Sequence, residues 1–194
     1  MLQPRFSATT AVLTTALLSR VRAHIKQGGV IAYPTESCYG LGCDPRNRRA
    51  VMKLLRIKSR PQHKGLILIG SDFSQLQPYA APLNDAQWHK ISSSWPGPVT
   101  WLLPVTRKTP PWLRGGHKSI AMRVTAHPLA ARLCHAVNMP LVSTSANSTR
   151  QKPARTYAAC VKNFGKGVLV VPGLIGKRRQ PSTIMDLMTG AVIR

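Results

Sequence analysis

Residues 58–70 read KSRPQHKGLILIG. Gly65 to Gly70 form an unbroken apolar run, the pattern of a strand buried on both faces of a sheet. Such a strand needs helices on either side, and the flanking sequence supplies them. Upstream, Asn47 is placed to cap a helix that carries Val51, Leu54 and Leu55 inward. Earlier still, Leu13, Leu17, Val21 and Ile25 recur every four positions, the spacing of an amphipathic helix. Gly28-Gly29 stops that helix, and Val30 to Tyr33 then reads as a short buried strand. Downstream, helical pieces are expected at Phe73–Leu76 and Ala86–Ile91, followed by strands at Pro98–Leu103 and Ser119–Val124. His127 to Val137 reads as a helix feeding a strand at Pro140–Ser143. Tyr157–Phe164 is helical, Val168–Val171 is a strand, and Thr183–Leu187 with Ala191–Ile193 forms a closing hairpin. The Pro/Gly-rich stretch from Thr106 to Lys118, TRKTPPWLRGGHK, is expected to move rather than fold. Helices alternating with apolar strands predict an α/β fold around a mixed β-sheet. No repeat or low-complexity linker divides the chain, so residues 1–194 read as a single domain.

The chain's 28 Lys and Arg stand against 5 Asp and Glu, a formal net charge of +23. An apolar fraction of 43% with 17% charged residues is nonetheless the composition of a folded domain. The acids are Glu36, Asp44, Asp72, Asp85 and Asp186. A hydrolase built on two carboxylates, or an all-protein Ca²⁺ cage, would have to draw on these five scattered positions. The cation excess points to polyanionic partners, or to a general basicity with no single partner. Cys38, Cys43, Cys134 and Cys160 are too sparse for a disulfide scaffold and lack zinc spacing, so free thiols in a reducing cytoplasm are expected. Met1 to Leu18 has no continuous apolar core of a signal peptide, and no run is long enough to span a membrane.

Three segments carry candidate chemistry. Between Arg46 and Lys64 the sequence places Arg46, Arg48, Arg49, Lys53, Arg56, Lys58, Arg60 and Lys64. Arg49, Lys53 and Arg56 share one helix face and read as solvated. Pro61 biases Arg60 out of the helical region. In an extended segment Lys58 and Arg60 would then point the same way, with Lys64 at the sheet edge. Three converging cations suit a triphosphate or a nucleic-acid backbone. The second segment, Tyr33 to Gly42, follows a buried strand and is rich in hydroxyls and glycine, as a ligand loop is. It is neither a Walker A loop nor G-x-G-x-x-G. The third, Pro140 to Asn147, runs a strand into hydroxyls and an amide that suit a phosphate, a substrate carboxylate or plain turn chemistry. The six histidines show no ligand spacing, and no metal-binding residue is assigned.

Taken together, YPTESCYGLGCDP (33–45), KSRPQHKGLILI (58–69) and LVSTSAN (141–147) resemble the YrdC-like family in its short bacterial, TsaC-type form. SWPGPVTWLLP (94–104), AMRVTAHP (121–128) and PSTIMDL (181–187) resemble its further motifs, so the likeness covers about residues 29–194. The resemblance implies a twisted α/β sheet with flanking helices and a basic concave face. It implies a threonylcarbamoyl-AMP synthase, which joins L-threonine, bicarbonate and ATP and releases pyrophosphate. The product is the donor for N6-threonylcarbamoyladenosine at position 37 of tRNAs reading ANN codons. By the same resemblance Thr35, Arg123, Ser143 and Ser182 bind threonine. Lys58, Arg60, Lys64, Ser119, Ser145, Asn147 and Arg194 bind the nucleotide, with Lys58 and Arg60 serving the chemistry. Mg²⁺ is expected to arrive with ATP, held mainly by phosphates. Glu36 or Asp44 reads as a base or metal contact, and Glu36 reads equally as a loop residue bonded to backbone amides or paired with a cation. The family commonly continues S-A-N with Leu-Ser-Gly, where Ser148-Thr149-Arg150 stand here, and Gly65-Leu66-Ile67-Leu68 replaces its Pro-Leu-Ile-Val. Further expectations are contact with tRNA or double-stranded RNA, hand-over to downstream threonylcarbamoyl-transfer machinery, a cytoplasmic location and no membrane partner. Two other readings stand beside this one: a binding module whose basic face docks RNA, and a carbamoyl transfer to another acceptor, a version usually found inside longer chains.

Overall fold

A computed structural model describes residues 13–148 and 151–194. The expectation for the first twelve residues, and that for Thr149-Arg150, lie outside the described residues. Helix α1 (Thr15–Lys26) starts where Thr14 accepts a bond from the Leu17 amide at 3.2 Å. Strands β1 (Ile31–Pro34) and β2 (Tyr39–Gly42) follow. Helix α2 (Arg48–Lys58) is capped by Asn47, whose side chain accepts from the Ala50 amide at 3.1 Å. After β3 (Ile67–Gly70) come α3 (Phe73–Leu76) and α4 (Asp85–Ser92), the latter opened by an Asn84/Gln87 capping box. The chain continues through β4 (Val99–Pro104), α5 (Pro111–Arg114), β5 (Ser119–Val124) and α6 (Pro128–Val137). Strand β6 (Leu141–Ser145), helix α7 (Tyr157–Phe164) and strands β7 (Leu169–Val170) and β8 (Thr183–Asp186) complete it.

The eight strands form one mixed sheet in the order β7-β1-β2-β6-β3-β5-β4-β8. Pairs β1–β7, β3–β5 and β4–β8 are parallel, and the other neighbours are antiparallel. Side-chain alternation sends Ala32, Leu68 and Val142 into one apolar cluster, and Ile31, Tyr33, Ile69 and Leu141 into a second. The sheet is therefore covered on both faces. Helix α2 supplies Leu54 and Leu55 to the first cluster, while α1 and α6 supply Val21, Ile25 and Leu133 to the second. The α/β architecture and the mixed sheet expected from the sequence are what the structure contains.

Three local expectations are corrected. The stretch expected to be wholly a ligand loop contains β2, which pairs with β1 from Pro34↔Tyr39 to Ile31↔Gly42. Its two glycines are poor strand formers, and neighbouring strands impose the extended backbone. Thr106 to Lys118 does not behave as a free loop either. Leu113 is completely buried, which stabilises the segment by about 2 kcal/mol. Its carbonyl accepts from the Leu66 amide at 2.8 Å, and the Trp112 indole donates to the Pro45 carbonyl at 3.0 Å. Lastly, Lys58 is the final residue of α2 rather than part of an extended segment. The chain turns at Ser59, which takes the left-handed conformation (φ 51°) and lets the Arg60 amide reach the Leu55 carbonyl at 3.0 Å. The closing hairpin is present, with the Asp186 amide donating to the Ala191 carbonyl at 2.9 Å and that of Ile193 to Ile184 at 2.8 Å.

Candidate active site

A cavity of about 530 Å³ opens where the loop after β1, strands β5 and β6 and the C-terminal end of α2 converge. All eleven residues singled out from the sequence line it: Thr35, Lys58, Arg60, Lys64, Ser119, Arg123, Ser143, Ser145, Asn147, Ser182 and Arg194. They come from positions spread between 35 and 194, and only the sheet topology brings them together.

On the side nearest α2, Lys58 is 5% exposed. Its ammonium donates to the Ser145 carbonyl at 2.8 Å and hydroxyl at 3.3 Å, and to the Asn147 carbonyl at 3.0 Å and side-chain oxygen at 2.7 Å. The Ser145 hydroxyl donates to the same Asn147 oxygen at 2.7 Å, and Asn147 donates onward to the Gln151 carbonyl at 2.6 Å. Lys58 thus shapes the S-x-S-A-N turn while holding a positive charge at its centre. Burial, reinforced by nearby Arg60, pushes its pKa down to about 8. Arg60 braces the next turn, donating to the Gly65 carbonyl through Nη2 at 2.9 Å and Nε at 3.3 Å. Burial and then Arg194 hold Arg60 below its ordinary value. Lys64 is exposed at the rim.

The opposite side is built differently. Arg123, 7% exposed on β5, approaches Glu36 with Nη2 3.2 Å from Oε2. The Thr125 hydroxyl donates to Glu36 Oε1 at 2.7 Å. Burial alone would raise the Glu36 pKa, but Arg123 and Thr125 outweigh it and hold the carboxyl below its usual range. Of the roles weighed for Glu36, the structure contains the pairing with a cation. Thr35 turns the loop by donating its hydroxyl to the Cys38 carbonyl at 2.8 Å. Ser182 accepts from the Thr100 hydroxyl at 3.0 Å, and Arg194 reaches the Ser182 carbonyl at 3.3 Å.

Sequence reasoning missed Arg114 and His117, which also line the cavity. Both sit in the stretch expected to move. They are held there because Gly65 (φ +62°) and Gly115 (φ +62°) let two backbones touch: a Cβ on Gly115 would lie 2.3 Å from the His63 carbonyl oxygen. A fixed Gly-Gly pair after a Trp-Leu turn was the available signal. Cys38 lines the cavity too, and burial raises its pKa, so it sits there as a thiol. Among the described residues no Asp or Glu side chain lines the cavity, and no cluster of three or more metal-ligating side chains occurs. No helix among the described residues is long and apolar enough to cross a membrane.

A family model described as telomere recombination (Sua5_yciO_yrdC) matches residues 23–194. The threonylcarbamoyl-AMP synthase of Methylobacillus flagellatus is 56% identical over 170 residues, which are 88% of this chain and 94% of that one. That of Thiobacillus denitrificans is 51% identical over 174 residues, covering 90% and 93%. Among solved structures, P. abyssi Sua5 complexed with L-threonine superposes with a TM-score of 0.85 at 27% identity. That match takes in 92% of this chain but 54% of the Sua5 chain, so the present chain spans about half of it. E. coli YciO gives a TM-score of 0.82 at 28% identity, covering 93% and 89%. With the motifs on one cavity, the sheet shared with these structures and a family model spanning most of the sequence, the chain belongs to the Sua5/YciO/YrdC family.

Proposed function

We propose that this chain is a synthase that condenses L-threonine, bicarbonate and ATP into L-threonylcarbamoyladenylate and pyrophosphate. The observation that carries this reading is the convergence of eleven hydroxyl, amide and cationic side chains on one cavity that, among the described residues, no Asp or Glu side chain lines. Relatives bearing the corresponding name at 46–56% identity over most of their length support it. The threonine amine attacks the carbon of bicarbonate, giving a carbamate and water; where bicarbonate has first been dehydrated, the amine adds to CO₂ and the same carbamate forms with loss of a proton. A carbamate oxygen then attacks the α-phosphorus of ATP, and the bond to the β-phosphate oxygen breaks to release pyrophosphate. Charge neutralisation and alignment dominate such a transfer. Lys58, Arg60 and Lys64 face the phosphates, while Ser119, Ser145, Asn147 and Arg194 hold the nucleotide. Arg123 takes the threonine carboxylate, with Thr35, Ser143 and Ser182 supplying hydroxyls around the amino acid. The donor set fits Mg²⁺ brought in on ATP, coordinated by phosphate oxygens and water, where it would offset phosphate charge.

The product serves N6-threonylcarbamoyladenosine formation at position 37 of tRNAs reading ANN codons, through a downstream transfer enzyme in the cytoplasm. Exposed cations such as Arg48, Arg49 and Arg56 on α2, with Lys177 and Arg179, offer a surface to tRNA or double-stranded RNA. The test is pyrophosphate release by purified protein given ATP, Mg²⁺ and bicarbonate, with and without threonine. Threonine-dependent release is expected, and its absence from folded protein would overturn the reading.

A further inference from the structure

Glu36 is the only glutamate in the chain, and it lies behind the cavity rather than in it. Arg123 lines the cavity, whereas Glu36 borders a separate hollow of about 320 Å³ beside His127, Gly176 and Arg178. The Arg123 and Glu36 side chains are 9% and 13% exposed, so both charges are largely stripped of water. The contact between them is nonetheless incomplete. Although Nη2 and Oε2 lie 3.2 Å apart, Glu36 Oε2 and Arg123 Nε have no hydrogen-bond partner among the described residues. The carboxylate is pinned: Thr125 donates to Oε1 at 2.7 Å, and the Arg178 amide donates to the Glu36 carbonyl at 3.1 Å. The Gly176 amide bonds the Thr35 carbonyl at 2.9 Å, and a Cβ on Gly176 would come within 2.7 Å of the Glu36 backbone. A fixed anion therefore faces a guanidinium that keeps unused donors.

The cavity's other cations are not treated this way. Lys58, Arg60 and Arg194 bond carbonyls, hydroxyls or an amide, and among the described residues no carboxylate offsets them. Arg123 is the lining cation that shares its charge with a protein carboxylate. A half-neutralised, directionally held guanidinium suits one singly charged carboxylate. Fully charged neighbours suit a triphosphate.

We infer that Glu36 is the positioning residue for Arg123, orienting the guanidinium toward an amino-acid carboxylate and keeping it from the nucleotide's phosphates. The inference rests on the proposed function. Without Glu36 the buried charge on Arg123 has no counter-ion, and the phosphates of ATP become its strongest acceptors.

The test is calorimetric titration of L-threonine into wild type, Glu36→Gln and Thr125→Val, each with a non-hydrolysable ATP analogue, together with steady-state kinetics. Glu36→Gln is expected to weaken threonine binding at least tenfold, to change ATP-analogue binding less than twofold, and to raise KM for threonine with kcat kept within threefold. Thr125→Val should weaken threonine binding two- to fivefold. In an Arg123→Lys background, Glu36→Gln should add no more than twofold. A Glu36→Gln enzyme that binds threonine normally but loses kcat would make Glu36 a participant in proton transfer and overturn the inference. Should Glu36→Gln fail to fold, a folded Thr125→Val with unchanged threonine affinity overturns it equally. Wild-type protein that binds no threonine would instead sink the proposed function.

Discussion

Helix α2 carries two populations of cations within eleven residues. Arg48, Arg49 and Arg56 lie exposed on its outer face, whereas Lys58 at its last position is 5% exposed and bonded to both Ser145 and Asn147. Charge does not separate them, since both groups are basic and adjacent. The difference is one of helical phase: Lys58 lies four residues after Leu54 and seven after Val51, on the buried face of the helix. The left-handed residue Ser59 then ends the helix and turns the chain back. Lys58 also sits where the helix dipole favours a cation and where the S-x-S-A-N turn supplies acceptors. A density of basic residues thus says little until the backbone decides which of them lose water.

The sharpest way to break this contrast is at its buried end. Lys58→Ala and Arg60→Ala should each cost about 2–5 kcal/mol of transition-state stabilisation, read as a fall in kcat/KM for ATP, because each leaves desolvated acceptors or phosphate charge unpaired. Activity retained in both would take them out of the site. A smaller effect is expected at the rim. Arg114→Ala should raise KM for ATP by about tenfold, the scale of one charge-assisted phosphate contact, with kcat preserved. An unchanged KM would place Arg114 outside the ligand's reach.

Next comes pH. Lys58, with its pKa pushed down to about 8, is a cation below that pH and loses its charge as the pH rises through it. ATP affinity should therefore decline a few-fold between pH 7 and 9, and Lys58→Arg should flatten the decline. The linked stability effect has the opposite sign. The folded pKa lies below the ordinary 10.5, so burying the charge costs stability under pH 8, and that cost fades between 8 and 10.5. The smallest effect belongs to the solvated end. Replacing Arg49, Lys53 and Arg56 together by Gln should alter pyrophosphate release by less than about twofold, in keeping with the modest energetics of exposed charges. The same variant should bind RNA with a shallower salt dependence, by roughly one slope unit for each phosphate it no longer neutralises. A large drop in turnover would show that the outer face belongs to the site.

Much of this was legible in the residues because the signals were local. Helix α7 and strand β5 fall at their expected bounds, and Asn47 caps α2 as its position foretold. The elements that escaped depend on distant partners. Strand β2 hides behind two glycines and is extended because β1 and β6 pair with it. The grip on Leu113 needs Gly65 and Gly115 to meet across a long stretch of sequence, which no periodicity displays. For the site, motif residues were recognisable and all reach one cavity, yet the reason Lys58 and Arg60 converge is a helix cap rather than an extended strand. The pairing of Glu36 with Arg123 was one option among several until the fold set them side by side.

The strand order has a consequence in time. Strand β6 lies between β2 and β3, β7 lies against β1, β5 against β3 and β8 against β4. Five of the seven seams of the sheet therefore close over a long separation in sequence, β1–β2 and β4–β5 being the local ones. Contacts of that kind form slowly, since loop closure must precede the reward of pairing. A growing chain that has reached β5 already carries Lys58, Arg60 and Arg123, but neither the acceptors for Lys58 at Ser145 and Asn147 nor Ser182 beside β8. Its cations are then an open basic strip instead of a pocket. The cavity is complete only when the last strands dock, since its lining residues run from position 35 to position 194.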